Sequence, residues 1–200
     1  MDYWVSKELA SVEKPKALKE WASAIKALED GTQIFIMRKG GIVEETRDFQ
    51  VESNDFFLYP TYEHQRKELL KESYQGVIDE TLALWSAQDE QVTIRSYARM
   101  IEDIEINDGE QLHKLYPFHI WTENFTEERL RWKRKNPLHL MLLRVYRLAE
   151  PLHIPIEQAY IGCKSWIELG AEIPPDSSLV PVMSDEEFAT QVAEIKRTLS

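Results

Sequence analysis

The sequence has one cysteine and no long apolar run, and both absences limit what kind of protein it is. Cys163 cannot form an internal disulfide, and a lone thiol is typical of a reducing compartment. The longest strongly apolar run, residues 138–143, is far shorter than the roughly 20 residues of a transmembrane helix. The N-terminal MDYWV has neither the basic nor the apolar region of a secretion signal. These absences predict a cytoplasmic protein without a membrane span.

Basic residues are outnumbered by acidic ones, 24 against 35, which gives a net charge of −11. Such a chain repels polyanions at long range, so its surface as a whole does not coat nucleic acid. The charge is uneven, however, because residues 129–147 hold seven Arg or Lys and no acid. A local basic surface is therefore compatible with the acidic whole.

The hydrophobic pattern predicts an α+β protein with a mainly antiparallel sheet, or a small partly open barrel, with flanking helices. Two long strands alternate in hydrophobicity, and the first changes phase near Ile101, as at a β-bulge. Strands and helices do not alternate regularly, which argues against a doubly wound parallel sheet. The predicted strands cover residues 32–38, 49–51, 56–59, 92–106 and 138–148. The predicted helices cover residues 15–29, 62–73, 77–85 and 108–115, with a last one after a capping box at Ser184.

The polar segment 86–90 is the best candidate for a domain boundary. It would divide the chain into an N-terminal α/β subdomain, residues 1–85, and a C-terminal antiparallel α+β subdomain, residues 91–200. The alternative is one compact domain, since 200 residues fit either arrangement.

Five short segments together resemble a known family. They are ALKEW (17–21), RKGGI (38–42), FLYPTYEHQ (57–65), PFHIW (117–121) and YIGCKSWIEL (160–169). In this order they resemble the bacterial family called domain of unknown function 1802, in a form common in cyanobacteria. The resemblance covers roughly residues 17–169 and implies no activity, because the family has none to transfer. It marks the segments from which we take His119, Trp121 and other candidates.

The RKGGI segment is a candidate anion site. Arg38 and Lys39 stand at a predicted strand end, and two glycines follow whose backbone amides can approach an anion. A plain hairpin turn with hydrated cations explains the same pattern. Lys164, beside Cys163, is a second candidate anion contact, whereas Cys163 itself is either an activated thiol or a small buried side chain. No GKS or GKT follows the glycines, so a nucleotide P-loop is excluded.

The FLYPTYEHQ segment is a candidate catalytic turn. Glu63 or His64 can serve as a general base there, with Tyr62 as a ligand contact. The alternative is structural, with Thr61 as a helix N-cap and His64 bonded to a neighbour. The histidines show no HxxxH or HExxH spacing, so no metal site and no cofactor are predicted.

The basic tract 129–147 has aromatic residues between its cations. Arg131 and Trp132 are the candidate contacts, because cations and aromatic faces together suit single-stranded or flipped nucleotides. A hydrated surface that balances acids elsewhere is the alternative.

The leading hypothesis is therefore a nucleic-acid-binding protein, for RNA or a modified base, on a sheet like that of pseudouridine-synthase-associated barrels. That likeness is one of fold only. A metal-dependent nuclease or other hydrolase centred on Glu63 and His64 is the first alternative. An acidic protein-interaction partner without chemistry is the second.

Overall fold

The computed structural model describes residues 14–39, 49–131, 137–162, 164–170 and 178–200. Its strands are β1 Lys16–Trp21, β2 Phe35–Arg38, β3 Asp55–Thr61, β4 Gln91–Ile106, β5 Leu138–Pro155, β6 Trp166–Glu168 and β7 Leu179–Pro181. Its helices are α1 Ala22–Glu29, α2 Gly76–Leu82, α3 Gly109–Lys114, α4 Glu123–Arg131 and α5 Asp185–Leu199. Four short 3₁₀ turns lie at Lys67–Leu69, Glu72–Tyr74, Tyr116–Phe118 and Gln158–Tyr160. None of the described helices is long and apolar enough to cross a bilayer.

The strands form one mixed sheet in the order β2-β5-β4-β3-β1-β6, with β7 on β5. The β1–β3 pair is parallel, and the other described pairs are antiparallel. The predicted α+β class with a mainly antiparallel sheet is confirmed. Strands from both sides of the 86–90 segment belong to this sheet, and a division into two subdomains stays a prediction.

The two long strands are antiparallel neighbours, as predicted from their single apolar faces. Their register shifts between Met100 and Glu102, which confirms the predicted irregularity near Ile101. A second shift lies between Ile94 and Ser96, opposite the stretch of β5 that contains Pro151. Proline has no backbone N–H for the ladder, so this irregular stretch is where β5 accommodates it.

The predicted helix over residues 15–29 is wrong in its first half, where the chain forms β1. Ala17 and Leu18 are fully buried, and β1 lies between β3 and β6, so strand pairing on both sides outweighs local helix propensity. The helix begins only at Ala22. The predicted helix over residues 62–73 is also wrong, since two 3₁₀ turns occupy part of it.

Two further differences concern residues around the sheet. Phe49 packs its side chain into the core, but residues 49–51 pair with no strand, so the predicted strand is wrong. Helix α4, by contrast, was not predicted, because its sequence ENFTEERLR has few apolar residues at helical spacing. Phe125 and Thr126 are the buried residues of α4.

The described residues form three main cores, of which the third, around Ala17, Phe57 and Tyr97, joins β1, β3 and β4. The largest forms where α1, α3, α4 and α5 meet β2 and the first part of β5, with Ala27, Leu112, Phe125, Ile195 and Leu140 among its members. The second joins α1 to side chains of β1, β2, β3, β4 and β5; among its members are Leu28, Leu18, Ile36, Phe56, Leu58, Ala98, Met141 and Leu143. A contact between β1 and β2, described next, shows that this sheet is strongly curled.

Candidate functional site

The ends of β1 and β2 meet through a buried ion pair. Arg38 Nη1 donates to Glu20 Oε2 at 3.1 Å, and the two side chains are 14% and 5% exposed. In a flat sheet with this strand order the two strands would lie about 19 Å apart. The contact therefore shows that the sheet curls until β1 faces β2, as in a barrel that strand pairing does not close.

Two more cations adjoin this pair. Arg129 on α4 donates from Nη1 to the Met37 carbonyl at 3.0 Å, and Lys39 Nζ donates to the Leu130 carbonyl. We call Arg38, Lys39, Arg129 and Glu20 the cation cluster. A carbonyl oxygen satisfies a donor but carries no full charge. Within the described residues, Arg38 is the cation of this cluster that pairs with the Glu20 carboxylate, and the charge of that carboxylate also acts on Arg129. Lys39 has only a carbonyl partner there.

Electrostatics inside the cation cluster disfavour the charged forms. Burial lowers the pKa of the Arg129 guanidinium to about 10; the Glu20 carboxylate opposes this shift and Arg38 adds to it. Burial also lowers the pKa of Lys39. With a pKa of about 10, Arg129 remains protonated at neutral pH, so it adds positive charge beside the Arg38–Glu20 pair. An anion placed beside it would favour the charged forms.

Aromatic rings border the cation cluster. Trp21, the last residue of β1, stacks on Phe125 of α4 with ring centres 5.5 Å apart and planes at 28°. The Arg129 guanidinium lies over the same Phe125 ring at 4.8 Å. Trp21 is only half-buried, so an aromatic face adjoins the cations.

The YIGCKSWIEL segment also contacts the cation cluster. Ser165 is buried, and its Oγ accepts a hydrogen bond from Arg38 Nη2 at 2.7 Å. Lys19 Nζ donates to the carbonyls of Tyr160 and Gly162 at 2.8 and 2.7 Å, which holds the preceding turn against β1. Lys164 itself is exposed and donates to the Ala159 carbonyl at 3.4 Å. The RKGGI and YIGCKSWIEL segments therefore converge through the bond between Arg38 and Ser165, the residue after Lys164.

The FLYPTYEHQ segment packs beside β1. Thr61 pairs with Trp21 in the parallel ladder, and its Oγ1 donates to the Glu20 carbonyl at 3.0 Å. Gln65 accepts from the backbone N–H of Ser23 at 2.9 Å, so it caps the N-terminus of α1 from another part of the chain. The turn is thus fixed in place by backbone contacts at both ends.

Glu63 and His64 stand on the exposed side of this turn. His64 has a φ of 67°, a left-handed conformation that is uncommon for residues other than glycine. In the part of the chain that the structure describes, no group of three His, Cys, Asp or Glu side chains is placed to hold a metal ion. Nothing described there favours the hydrolase hypothesis, and a catalytic role for these two residues stays a prediction.

Tyr62 leads into a second feature, a cleft with aromatic walls. Its ring stacks on Trp85 with centres 5.2 Å apart and planes at 12°, and burial raises the pKa of the phenol. The cleft encloses about 120 Å³. We call it the aromatic cleft. It is lined by Tyr59, Pro60, Tyr62, Leu84, Trp85, Asp89, Gln91, Val92, Thr93, Arg95 and Ile156.

His119 and Trp121 lie in the core rather than at a surface. They are 2% and 3% exposed, and the His119 ring packs edge-on to Phe35 with centres 6.1 Å apart. Burial, with the nearby Lys71 cation, lowers the pKa of His119 to about 3. The imidazole is therefore neutral at pH 7, and its Nδ1 accepts from the Trp121 backbone N–H at 3.2 Å. This burial leaves neither ring a surface for a ligand.

The basic tract does not form one surface in its described part. Arg131 is exposed and pairs with Glu127 at 2.7 Å on the same helix. Arg144 points from β5 toward α5, where it contacts Asp185, and Arg147 donates to the Glu29 carbonyl. Trp132 lies outside the described residues, as do residues 133–135, the two glycines of RKGGI and Cys163.

Sequence reasoning missed Glu20, Arg129, Trp85 and Arg95. Glu20 had a usable signal: in a strand it shares a face with Leu18, which makes it a buried acid in need of a partner. The helix predicted over this segment concealed that signal. Arg129 was counted only as part of a tract, and its inward direction depends on α4.

The fold and these contacts define a class: an α+β protein whose curled sheet carries a cation cluster and an aromatic cleft. The family model described as "Domain of unknown function (DUF1802)" matches residues 17–194, and the chain belongs to that family. No curated protein matches the sequence.

The fold is similar to solved structures of ASCH from Zymomonas mobilis. The ASCH structure without a named mutation has 13% sequence identity and a TM-score of 0.43, with 90% of this chain and 94% of that chain covered. One mutant form gives 12% and 0.43, with 91% and 96% covered. A second mutant gives 14% and 0.42, with 90% and 98% covered. At these values the likeness indicates nothing about function.

Proposed function

We propose that the protein binds single-stranded nucleic acid, RNA foremost, with backbone phosphates at the cation cluster. The observation that carries the proposal is the charge balance of this cluster, three cations to one carboxylate, in a chain of net charge −11. A polyanion is repelled by most of such a surface and attracted only where positive charge is in excess. The proposal keeps the hypothesis drawn from sequence and moves its centre from the basic tract to Arg38 and Arg129.

Desolvation gives the cation cluster a reason to prefer a bound anion. Because burial lowers the pKa of Lys39 and of Arg129, their charged forms are less stable than in water. A phosphate oxygen nearby would return part of that lost stabilisation, since charge-assisted hydrogen bonds are stronger than neutral ones. Arg38 and Arg129 are partly exposed and are therefore the direct contacts; buried Lys39 raises the local potential.

The aromatic border suits a strand rather than a free phosphate. Trp21 presents a half-buried ring beside the cations, and base stacking on such a ring contributes roughly 1–3 kcal/mol. Stacking is largely independent of base identity, so the cation cluster and Trp21 together predict binding with weak sequence preference. This combination distinguishes single strands from duplexes, whose bases are already stacked on one another.

The test is a salt titration of binding with fluorescently labelled RNA of about ten nucleotides, followed by anisotropy. The logarithm of the binding constant should fall linearly with the logarithm of salt concentration, by roughly 0.7 per neutralised phosphate. Arg129→Gln should weaken binding and flatten this slope, because it removes a charge of the cation cluster. Arg99→Gln is the matched control, since Arg99 lies on β4, away from the cation cluster, and pairs with Asp55 of β3.

Two results would contradict the proposal. The first is no binding by the wild-type protein at low salt to RNA or single-stranded DNA, which would leave the acidic interaction partner as the better hypothesis. The second is binding whose slope is the same for wild type and Arg129→Gln but is flattened by Arg99→Gln. Circular dichroism of each variant excludes loss of folding as the cause.

A further inference from the structure

The aromatic cleft begins one residue beyond the strand end that supports the cation cluster. Thr61 pairs with Trp21 of β1, and the next residue, Tyr62, forms one wall of the cleft with Trp85. The other side is the start of β4, which presents Gln91, Thr93 and Arg95 from alternate positions of the strand. Rigid strands on two sides therefore frame the cleft.

The size and walls of the cleft fit a flat ring. Its volume of about 120 Å³ is close to that of cavities that hold benzene, about 150 Å³. Tyr62 and Trp85 offer an aromatic face, and Leu84 and Ile156 at the rim are 76% and 38% exposed. Exposed apolar side chains around an aromatic cleft are typical of a ligand site.

The polar groups of the cleft supply both donors and acceptors. Within the described residues, the Arg95 guanidinium makes no hydrogen bond or ion pair, although it lies close enough to Tyr62 and Glu29 to influence their charges. Arginine can only donate, so it suits a carbonyl oxygen. Asp89 can only accept. One of its carboxylate oxygens accepts from the Ser86 N–H at 2.8 Å, which leaves the other oxygen to accept from a ligand.

We propose that the aromatic cleft binds one nucleobase, with its ring stacked on the Tyr62–Trp85 pair and a carbonyl oxygen facing Arg95. The choice of a nucleobase over other flat rings rests on the proposed function, because a strand held at the cation cluster passes beside the cleft. Guanine, uracil and cytosine have a carbonyl oxygen and adenine has none. The cleft should therefore prefer the first three bases and supply the selectivity that the cation cluster lacks.

Uncharged nucleosides test this site apart from the cation cluster. The full chain is titrated with guanosine, uridine, cytidine and adenosine while the indole N–H signal of Trp85 is followed by NMR; the Trp85→Phe spectrum assigns that signal. We expect guanosine, uridine and cytidine to shift the signal and adenosine to shift it less at the same concentration. Arg95→Gln should reduce this difference between nucleosides. Arg99→Gln, a matched change four residues along β4, should leave it unchanged.

A labelled strand gives the second arm. Trp85→Ala should weaken strand binding roughly 5- to 150-fold without changing the salt slope, because a stacking contact releases no counterions. Trp85→Phe should keep most of the affinity, which separates stacking from a structural role of Trp85. A strand that binds while free nucleosides do not shift Trp85 would still support the cleft if Trp85→Ala weakens strand binding; the base then reaches the cleft only as part of a strand.

The outcomes separate the two proposals. Strand binding that depends on Arg129 but is unaffected by Trp85→Ala, together with no nucleoside shift, overturns the cleft and leaves the proposed function intact. Nucleoside shifts at Trp85 with strand binding insensitive to Arg129→Gln support the cleft and count against the cation cluster. Indole, a flat ring without a carbonyl, overturns the nucleobase assignment if it binds in the cleft as tightly as guanosine.

Discussion

An arginine is buried at each of two places in the molecule, and the exposure of its carboxylate partner differs between them. At the end of β2, Arg38 pairs with Glu20, which is itself only 5% exposed. On β5, Arg144 is 6% exposed but pairs with Asp185, whose side chain is fully exposed, and donates to the Met183 carbonyl. Around Arg144 the first turn of α5 supplies further acids, whereas around Arg38 the neighbours are Lys39 and Arg129. Arg144 therefore holds helix α5 against the sheet, whereas Arg38 belongs to a surface with an excess of positive charge.

The largest effect should come from removing each arginine in turn. Arg38→Met leaves the Glu20 carboxylate buried without its counterion, which costs about 3–5 kcal/mol of unfolding free energy. Arg144→Met leaves an exposed, hydrated carboxylate and the carbonyls of Met183 and Ser184 without their donor, so about 1–2 kcal/mol is expected. Urea denaturation measures both.

The double variant Glu20→Leu/Arg38→Met provides the control for this pair. Removing both charges should recover much of the stability that Arg38→Met loses, because neither member of the Glu20–Arg38 pair is then left buried without the other. Equal losses for Arg38→Met and Arg144→Met, or a double variant no better than the single one, would show that the burial of Glu20 does not matter.

The pH dependence of stability distinguishes the core from both arginine sites. Burial lowers the pKa of His119 to about 3, well below the 6.5 of an exposed histidine. The unfolded chain therefore takes up a proton as the pH falls below about 6.5 while the folded chain does not, so this contribution to stability is present above pH 6.5 and is lost toward pH 3. The slope is at most about 1.4 kcal/mol per pH unit.

Urea denaturation between pH 7 and pH 5 measures that slope before most carboxylates protonate. His119→Phe should remove it while Arg38→Met retains it. An unchanged slope in His119→Phe would mean that another group titrates in this range. These expected results would assign the loss of stability in acid to His119 in the core and not to the cation cluster.

The smallest expected effect is at the start of α5. Ser184 accepts from the Glu187 N–H at 3.2 Å, and the Glu187 side chain accepts from the Ser184 N–H at 2.9 Å, which forms a capping box. Ser184→Ala should cost about 1 kcal/mol of unfolding free energy. RNA affinity should not change, since α5 adjoins Arg144 and not the cation cluster. A loss of affinity in this variant would remove the functional distinction between the two arginine sites.

Local patterns predicted the parts of the fold that depend on neighbours in sequence. The alternation in β4 and β5, the irregularity at Ile101 and the capping box at Ser184 are all properties of short windows. The segment 15–29 is different: its residues Leu18, Trp21, Ile25 and Leu28 fit one helical face, yet β3 and β6 pair with its first half, which is β1. Those partners lie far along the chain, so the pattern alone could not reveal them.

The candidate site was predictable in its parts and not in its assembly. The sequence marked Arg38, Lys39, Tyr62 and Lys164 by their glycine-rich or turn-rich surroundings. The partners Glu20 and Arg129 are set by the curl of the sheet and by α4, which bring together residues with no sequence relation. The aromatic spacing around His119 and Trp121 is equally compatible with a ligand site and with a core, and only their neighbours in space distinguish the two.

The position of β1 has a consequence for biosynthesis. Arg38 and Ser165 are separated by 127 residues, and Lys19 and Tyr160 by 141. Contacts over such distances form only after the intervening chain has been ordered, since the entropy of closing the loop must be met first. On the ribosome, a chain that has not yet exposed Ser165 contains Arg38 and Glu20 but not the hydroxyl that accepts from Arg38. We therefore expect nascent chains to acquire the complete cation cluster only near the end of synthesis, so under the proposed function incomplete chains should not compete for a nucleic-acid strand.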